Sequence, residues 1–194
     1  MLEFRKTVLA LGCAMAAGLM TQGAMAADAG TLTFSGEVTD NTCDVVVNGG
    51  AADATITLPR VSSKTLAKSG DVTGRVFVRM SLSNCGLVSG GAATATKVHA
   101  FWQASPLINV GGRLINTDNT TAGAKNVDIQ MLNDTLLPID LSKPDNSQNS
   151  TVATITGAAG AGTAELTHYA QYYATGASTP GLVKSQLEYV LSYN

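Results

Sequence analysis

The chain has 194 residues, 45% of them hydrophobic and 13% charged, which supplies apolar material for one core in a single domain. A formal net charge of −2 and a pI near 5.6 leave no basic footprint for a nucleic acid or an anionic membrane surface. Ala, Thr, Gly, Asn and Val dominate while Lys and Glu are scarce, a composition that fits pleated strands and tight turns better than amphipathic helices.

The first element is a targeting segment. Arg5 and Lys6 precede an uncharged run from Thr7 to Met20, and Ala24-Met25-Ala26 follows, the order of a secretory signal with cleavage after Ala26. As a membrane anchor the run is too short, since about 14 residues at 1.5 Å each span about 21 Å of a roughly 30 Å hydrocarbon core. Cys13 leaves with the signal. The mature protein keeps Cys43 and Cys85, 42 positions apart, and export to an oxidising compartment makes them a disulfide, with two buried thiols as the alternative. Such a bridge contributes roughly 3–4 kcal/mol on the chain-entropy model. No metal site is expected, because His99 and His168 each stand alone and no paired ligand spacing occurs.

Short strands separated by turn residues follow in order. Thr31 to Val47 carries Leu32, Phe34 and Val38 on one alternation, a polar break at Asp40-Asn41, and then Cys43, Val45 and Val47 on the other. Ala54 to Leu58 alternates around Ile56 and Leu58. Arg75 to Leu82 sets Val76, Val78, Met80 and Leu82 against Arg75, Arg79 and Ser81. Val98–Trp102, Val127–Met131, Leu136–Leu141, Val152–Ile155, Ala164–Ala174 and Gln186–Tyr193 complete the predicted strands, with glycine-rich turns such as Asn48-Gly49-Gly50 and Gly111-Gly112 between them. The pattern predicts an all-β antiparallel sandwich.

Chemistry-bearing motifs are scarce. There is no Ser-centred elbow, no H-E-x-x-H, no phosphate-binding glycine loop and no paired carboxylates, so neither an enzyme nor a small-molecule substrate or cofactor is expected. His168 continues the alternation Leu166, His168, Ala170, Tyr172 and reads as a sheet-facing residue. His99 lies opposite Val98, Ala100 and Trp102, which predicts a solvated position.

The informative residues lie at the two ends of the mature protein. Gly30-Thr31-Leu32-Thr33-Phe34-Ser35-Gly36-Glu37-Val38, shortly followed by Cys43, resembles the N-terminal segment of major subunits of the type 1 fimbrial family. His168-Tyr169-Ala170-Gln171-Tyr172-Tyr173-Ala174-Thr175-Gly176, then Thr179-Pro180-Gly181 and a last strand ending in Tyr193-Asn194, is similar to the C-terminal block of the same family, with Tyr193 as its penultimate tyrosine and Gly181 as the glycine about a dozen positions earlier.

The resemblance implies an incomplete immunoglobulin-like antiparallel sandwich, lacking its last strand and completed by one donated from a neighbouring subunit. It implies three parts: a signal peptide over 1–26, a donor-strand extension over 27–38 and a β-sandwich over 39–194. A periplasmic chaperone would lend a strand first, and at an outer-membrane usher the extension of the next subunit would replace it, giving a homopolymer at the cell surface that supports adhesion. In this sequence Leu32, Phe34, Gly36 and Val38 share one face of the donor segment. By the same resemblance, Gly181, Leu187, Tyr189, Leu191 and Tyr193 would mark the strand that borders the groove and is held by the chaperone. A minor adaptor of the same fibre and a monomeric secreted β-sandwich binding module are the alternative readings.

Overall fold

The computed structural model describes residue 33 and residues 43–86, 96–158 and 160–194. The protein divides into two units, Met1–Glu37 and Val38–Asn194, and the fold described is that of the second. The signal segment and the expected donor residues Leu32, Phe34, Gly36 and Val38 lie outside the described residues.

Eight described strands and one short 3₁₀ turn make up the unit. Strand β1 (Asp44–Val47) is followed by the 3₁₀ turn Ser63–Leu66, then β2 (Val72–Cys85), β3 (Lys97–Trp102), β4 (Leu114–Ile115), β5 (Val127–Leu132), β6 (Val152–Thr154), β7 (Gly162–Ala174) and β8 (Tyr189–Tyr193). They pair antiparallel into a five-stranded sheet of order β1-β2-β7-β5-β4 and a three-stranded sheet of order β6-β3-β8. No described helix is long and apolar enough to cross a membrane.

Period-two alternation decides which side chains meet between the sheets. Val78, Met80 and Leu82 of β2, Leu166, His168 and Ala170 of β7, and Met131 of β5 face Val98, Ala100 and Trp102 of β3, all of them buried. A second, small cluster of Leu66, Ala124, Val127 and Ala174 closes the end of the sandwich beneath the 3₁₀ turn. At Gly74 the ladder of β2 with β7 slips by a bulge; its φ of +70° and the Tyr172 ring, 2.8 Å from where a Cβ would stand, leave no place for a side group.

Four expectations from the sequence are corrected. Ala54–Leu58 forms no strand; it runs unpaired along the opening of the sandwich. Leu136–Leu141 is also irregular, touching β5 through a single Leu132–Pro138 bridge, because Pro138 has no N–H to give a ladder and Leu136 sits at φ +64° in the turn before it. Ile139 and Leu141 are nevertheless buried, so the alternation reported burial without a sheet. β4 is a two-residue strand that the sequence pattern passed over. His99 is 3% exposed rather than solvated, since the segment between Leu141 and Val152 folds over that face of β3.

Gln148 fixes this cover. Its side-chain amide accepts from Trp102 N–H (3.0 Å) and donates to the Trp102 carbonyl (2.7 Å), extending the β3 edge where the three-residue β6 has run out. The residue is 2% exposed. A glutamine amide thus does there what a strand residue would do.

Candidate acceptor groove

A disulfide joins Cys43, just before β1, to Cys85, the last residue of β2, with Cα atoms 4.1 Å apart. It pins the start of β1 onto its partner strand. Among the described residues the other side of β1 is unpaired, and so is the outer edge of β8 in the second sheet. Between these two free edges the described sandwich stands open.

The ladder of β8 with β3 shows how that edge is built. Lys97 and Asn194 exchange backbone hydrogen bonds, and Gln103 N–H donates to Glu188, so the even-numbered residues of the C-terminal segment bond β3. In an antiparallel pair the alternate residues then turn their backbone groups outward. Leu187, Tyr189, Leu191 and Tyr193 therefore present N–H and C=O groups to the gap while their half-buried side chains point into it. On β1 the same parity holds: Cys43, Val45 and Val47 line the gap.

The opening is a groove of about 1140 Å³. One wall is β1 with the unpaired Ala52–Leu58 segment, the other is Ser185–Tyr193, and the floor is apolar, with Val78, Met80, Trp102 and Met131 among its residues. The sequence placed Leu187, Tyr189, Leu191 and Tyr193 on one face, and all four line this groove. Gly181 does not; it packs against the backbone of Ala122–Ala124, at the far end of the C-terminal segment.

Two phenols cross the groove. The Tyr193 hydroxyl accepts from Cys43 N–H at 3.1 Å, and the Tyr189 hydroxyl donates to the Ala52 carbonyl at 3.0 Å. Burial pushes both phenols up from their ordinary pKa, helped at Tyr189 by the charge of Asp53 and opposed at Tyr193 by the Cys43 N–H, so both are protonated at neutral pH.

Asn116 anchors the C-terminal segment before it reaches the groove, and sequence reasoning missed it. Its Nδ2 donates to the carbonyls of Ala124 and Leu182, both at 2.9 Å, and its Oδ1 accepts from the N–H groups of Asp118 (3.1 Å) and Lys184 (2.9 Å). Nothing in the polar run Asn116-Thr117-Asp118-Asn119 distinguishes such a clamp from an ordinary turn.

The two histidines sit in different polar settings. His99 Nε2 lies 2.6 Å from Asp145 Oδ1, while the Ser192 hydroxyl donates to Asp145 Oδ2 at 2.7 Å. The carboxylate stands between histidine and serine, so the imidazole has no hydroxyl to activate. Burial works against the Asp145 charge, but Ser192 and His99 together hold its carboxyl below the usual range. His168 is wholly buried, edge-on to Trp102 with ring centroids 5.2 Å apart and 3.3 Å from the Ser150 hydroxyl. Desolvation brings it down to about 4, against a small opposing pull from Asp134.

Comparison with known proteins agrees with this geometry. The family model of type-1 fimbrial protein A (FimA) matches residues 58–194. The major fimbrial subunit SMF-1 of Stenotrophomonas maltophilia is 39% identical over 178 residues, covering 88% of this chain and 95% of that protein. The F17 fimbrial protein of Escherichia coli is 35% identical, over 84% of this chain and 87% of its own. In fold the protein is similar to the P pilus rod subunit PapA, whose crystal structure superposes with a TM-score of 0.57 at 18% identity, over 77% of this chain and 99% of that one. The open antiparallel sandwich and these relatives together place the protein in the type-1 fimbrial protein A family, as a structural subunit of a cell-surface fimbria.

Proposed function

We propose that the protein polymerises by strand donation, its groove receiving residues 27–38 of the next subunit, with Leu32, Phe34, Gly36 and Val38 facing inward. The observation that carries this reading is the apolar groove of about 1140 Å³, bounded on both sides by strand edges that are unpaired among the described residues. A small-molecule site of about 300–1,000 Å³ is typically concave and enclosed. This cleft runs instead along β8 and offers there a row of backbone donors and acceptors, which suits an extended peptide. Strand addition to such an edge is β-augmentation, of which chaperone–pilin complementation is itself an established instance. Before assembly a periplasmic chaperone would cover the same edges, and an outer-membrane usher would exchange its strand for the donor. The role is structural rather than catalytic.

Burying Leu32, Phe34 and Val38 would contribute roughly 1.5–3 kcal/mol each, and the backbone ladder would slow release. Phe34→Asp tests the reading. Fibres should fail to grow while chaperone-bound subunit stays near wild-type amount, because an unpaired charge would have to enter an apolar groove at a cost of several kcal/mol. Gly36→Val should behave alike through overfilling. A Phe34→Asp subunit that still builds detergent-resistant polymers, or that misfolds with chaperone present, would refute it.

A further inference from the structure

Tyr189 and Tyr193 do more than fill space. A phenylalanine at either position would bury a ring of the same size, so what the two hydroxyls add is contact with the opposite wall. Their partners are of opposite kind: Tyr193 accepts from a backbone amide, and Tyr189 donates to a backbone carbonyl. Both partners belong to the wall across the gap, at Cys43 beside the free edge of β1 and at Ala52 in the unpaired stretch after it. A strand lying between the walls would run through the line of both bonds.

We propose that the two phenols are a latch on the groove, closed in the unoccupied subunit and opened before a donor strand can seat. The proposal deepens the strand-acceptor reading and rests on it. The Ala52 bond lies at the surface and the Cys43 bond is only part-buried, so water can take over the freed hydroxyls, amide and carbonyl as each opens. A hydrogen bond of this kind has a modest net worth, which makes each hydroxyl a brake of about three- to tenfold on the rate of entry. Tyr189 and Tyr193 thereby set the rate at which a strand enters the unoccupied groove, in addition to forming its wall.

The test uses the mature subunit and a labelled synthetic peptide of residues 27–38. Uptake is followed for wild type, Tyr189→Phe, Tyr193→Phe and the double variant, after checking that the disulfide and the Trp102 fluorescence are those of the folded protein. Each substitution should speed uptake about three- to tenfold, the pair more, with the release rate of bound peptide unchanged, since the latch is already open in the complex. Amide exchange at Cys43 in the unoccupied subunit should quicken in Tyr193→Phe and not in Tyr189→Phe. If a phenylalanine variant fails the folding check, 3-fluorotyrosine at position 193, a weaker acceptor of nearly the same size, should shift uptake in the same direction. Equal or slower uptake by the folded double variant overturns the latch. A wild-type subunit that takes up no peptide overturns the strand-acceptor reading instead, and the latch with it.

Discussion

The hydroxyl of Tyr193, one residue before Asn194, accepts a hydrogen bond at 3.1 Å from the backbone amide of Cys43, the half-cystine at the start of β1. The first and last described strands of the sandwich are thus tied where the disulfide holds β1 to β2. The neighbouring Asn194 exchanges two backbone bonds with Lys97, at 2.9 and 3.0 Å. Deleting Tyr193-Asn194 removes all three together with the bond from Thr96 N–H to the Asn194 carbonyl (2.9 Å), about 4 kcal/mol in sum, and frays the edge that a chaperone would hold. The expected result is a periplasm depleted of the subunit and a weaker chaperone co-purification, read by immunoblot; undiminished accumulation would contradict it.

Acid should weaken the fold through His168. The group binds its proton at about 4 in the sandwich against 6.5 when unperturbed, because burial disfavours the imidazolium. A depressed folded pKa means that the unfolded state takes up the proton first. The stability contributed by the neutral ring is complete above pH 6.5 and declines as pH falls toward 4, by on the order of 3 kcal/mol. Urea midpoints measured from pH 7 to pH 4 should fall for the wild type and stay flatter for His168→Gln, which cannot titrate.

Gly181→Ala should destabilise the fold without touching the groove. A Cβ there would overlap the backbone nitrogen of Ala124 and come within 2.7 Å of the Ala122 carbonyl oxygen, and a backbone segment held on both sides has no rotamer to step aside into. The strain is worth about 1–3 kcal/mol, visible as a thermal midpoint lowered by several degrees. Peptide uptake by the folded fraction should match wild type.

Much of the sandwich was legible because alternation reports the environment of each face. Val76 to Leu82, Leu166 to Ala170 and Leu187 to Tyr193 gave their inward sides correctly, and export plus a lone mature pair gave the Cys43–Cys85 bridge. Alternation does not report whether an edge has a partner. Ala54–Leu58 and Leu136–Leu141 alternate as strands do, yet one borders an open gap and the other is interrupted by Pro138. His99 was misplaced for a related reason: a residue on the far side of a strand looks solvated until some distant segment covers it. That cover depends on Gln148 finding Trp102, 46 positions away, which no local pattern announces.

The same glutamine has a consequence for how many neighbours a subunit can take. In the three-stranded sheet, one margin ends in β6 and the Gln148 amide, which occupies the Trp102 backbone groups beyond it; the other margin, β8, is left to an incoming strand. Of the two margins of that sheet, β6 and β8, only β8 borders the apolar groove. With residues 27–38 to give and this groove to receive, the assembly proposed for this protein joins each unit to one neighbour on either side, which makes threads.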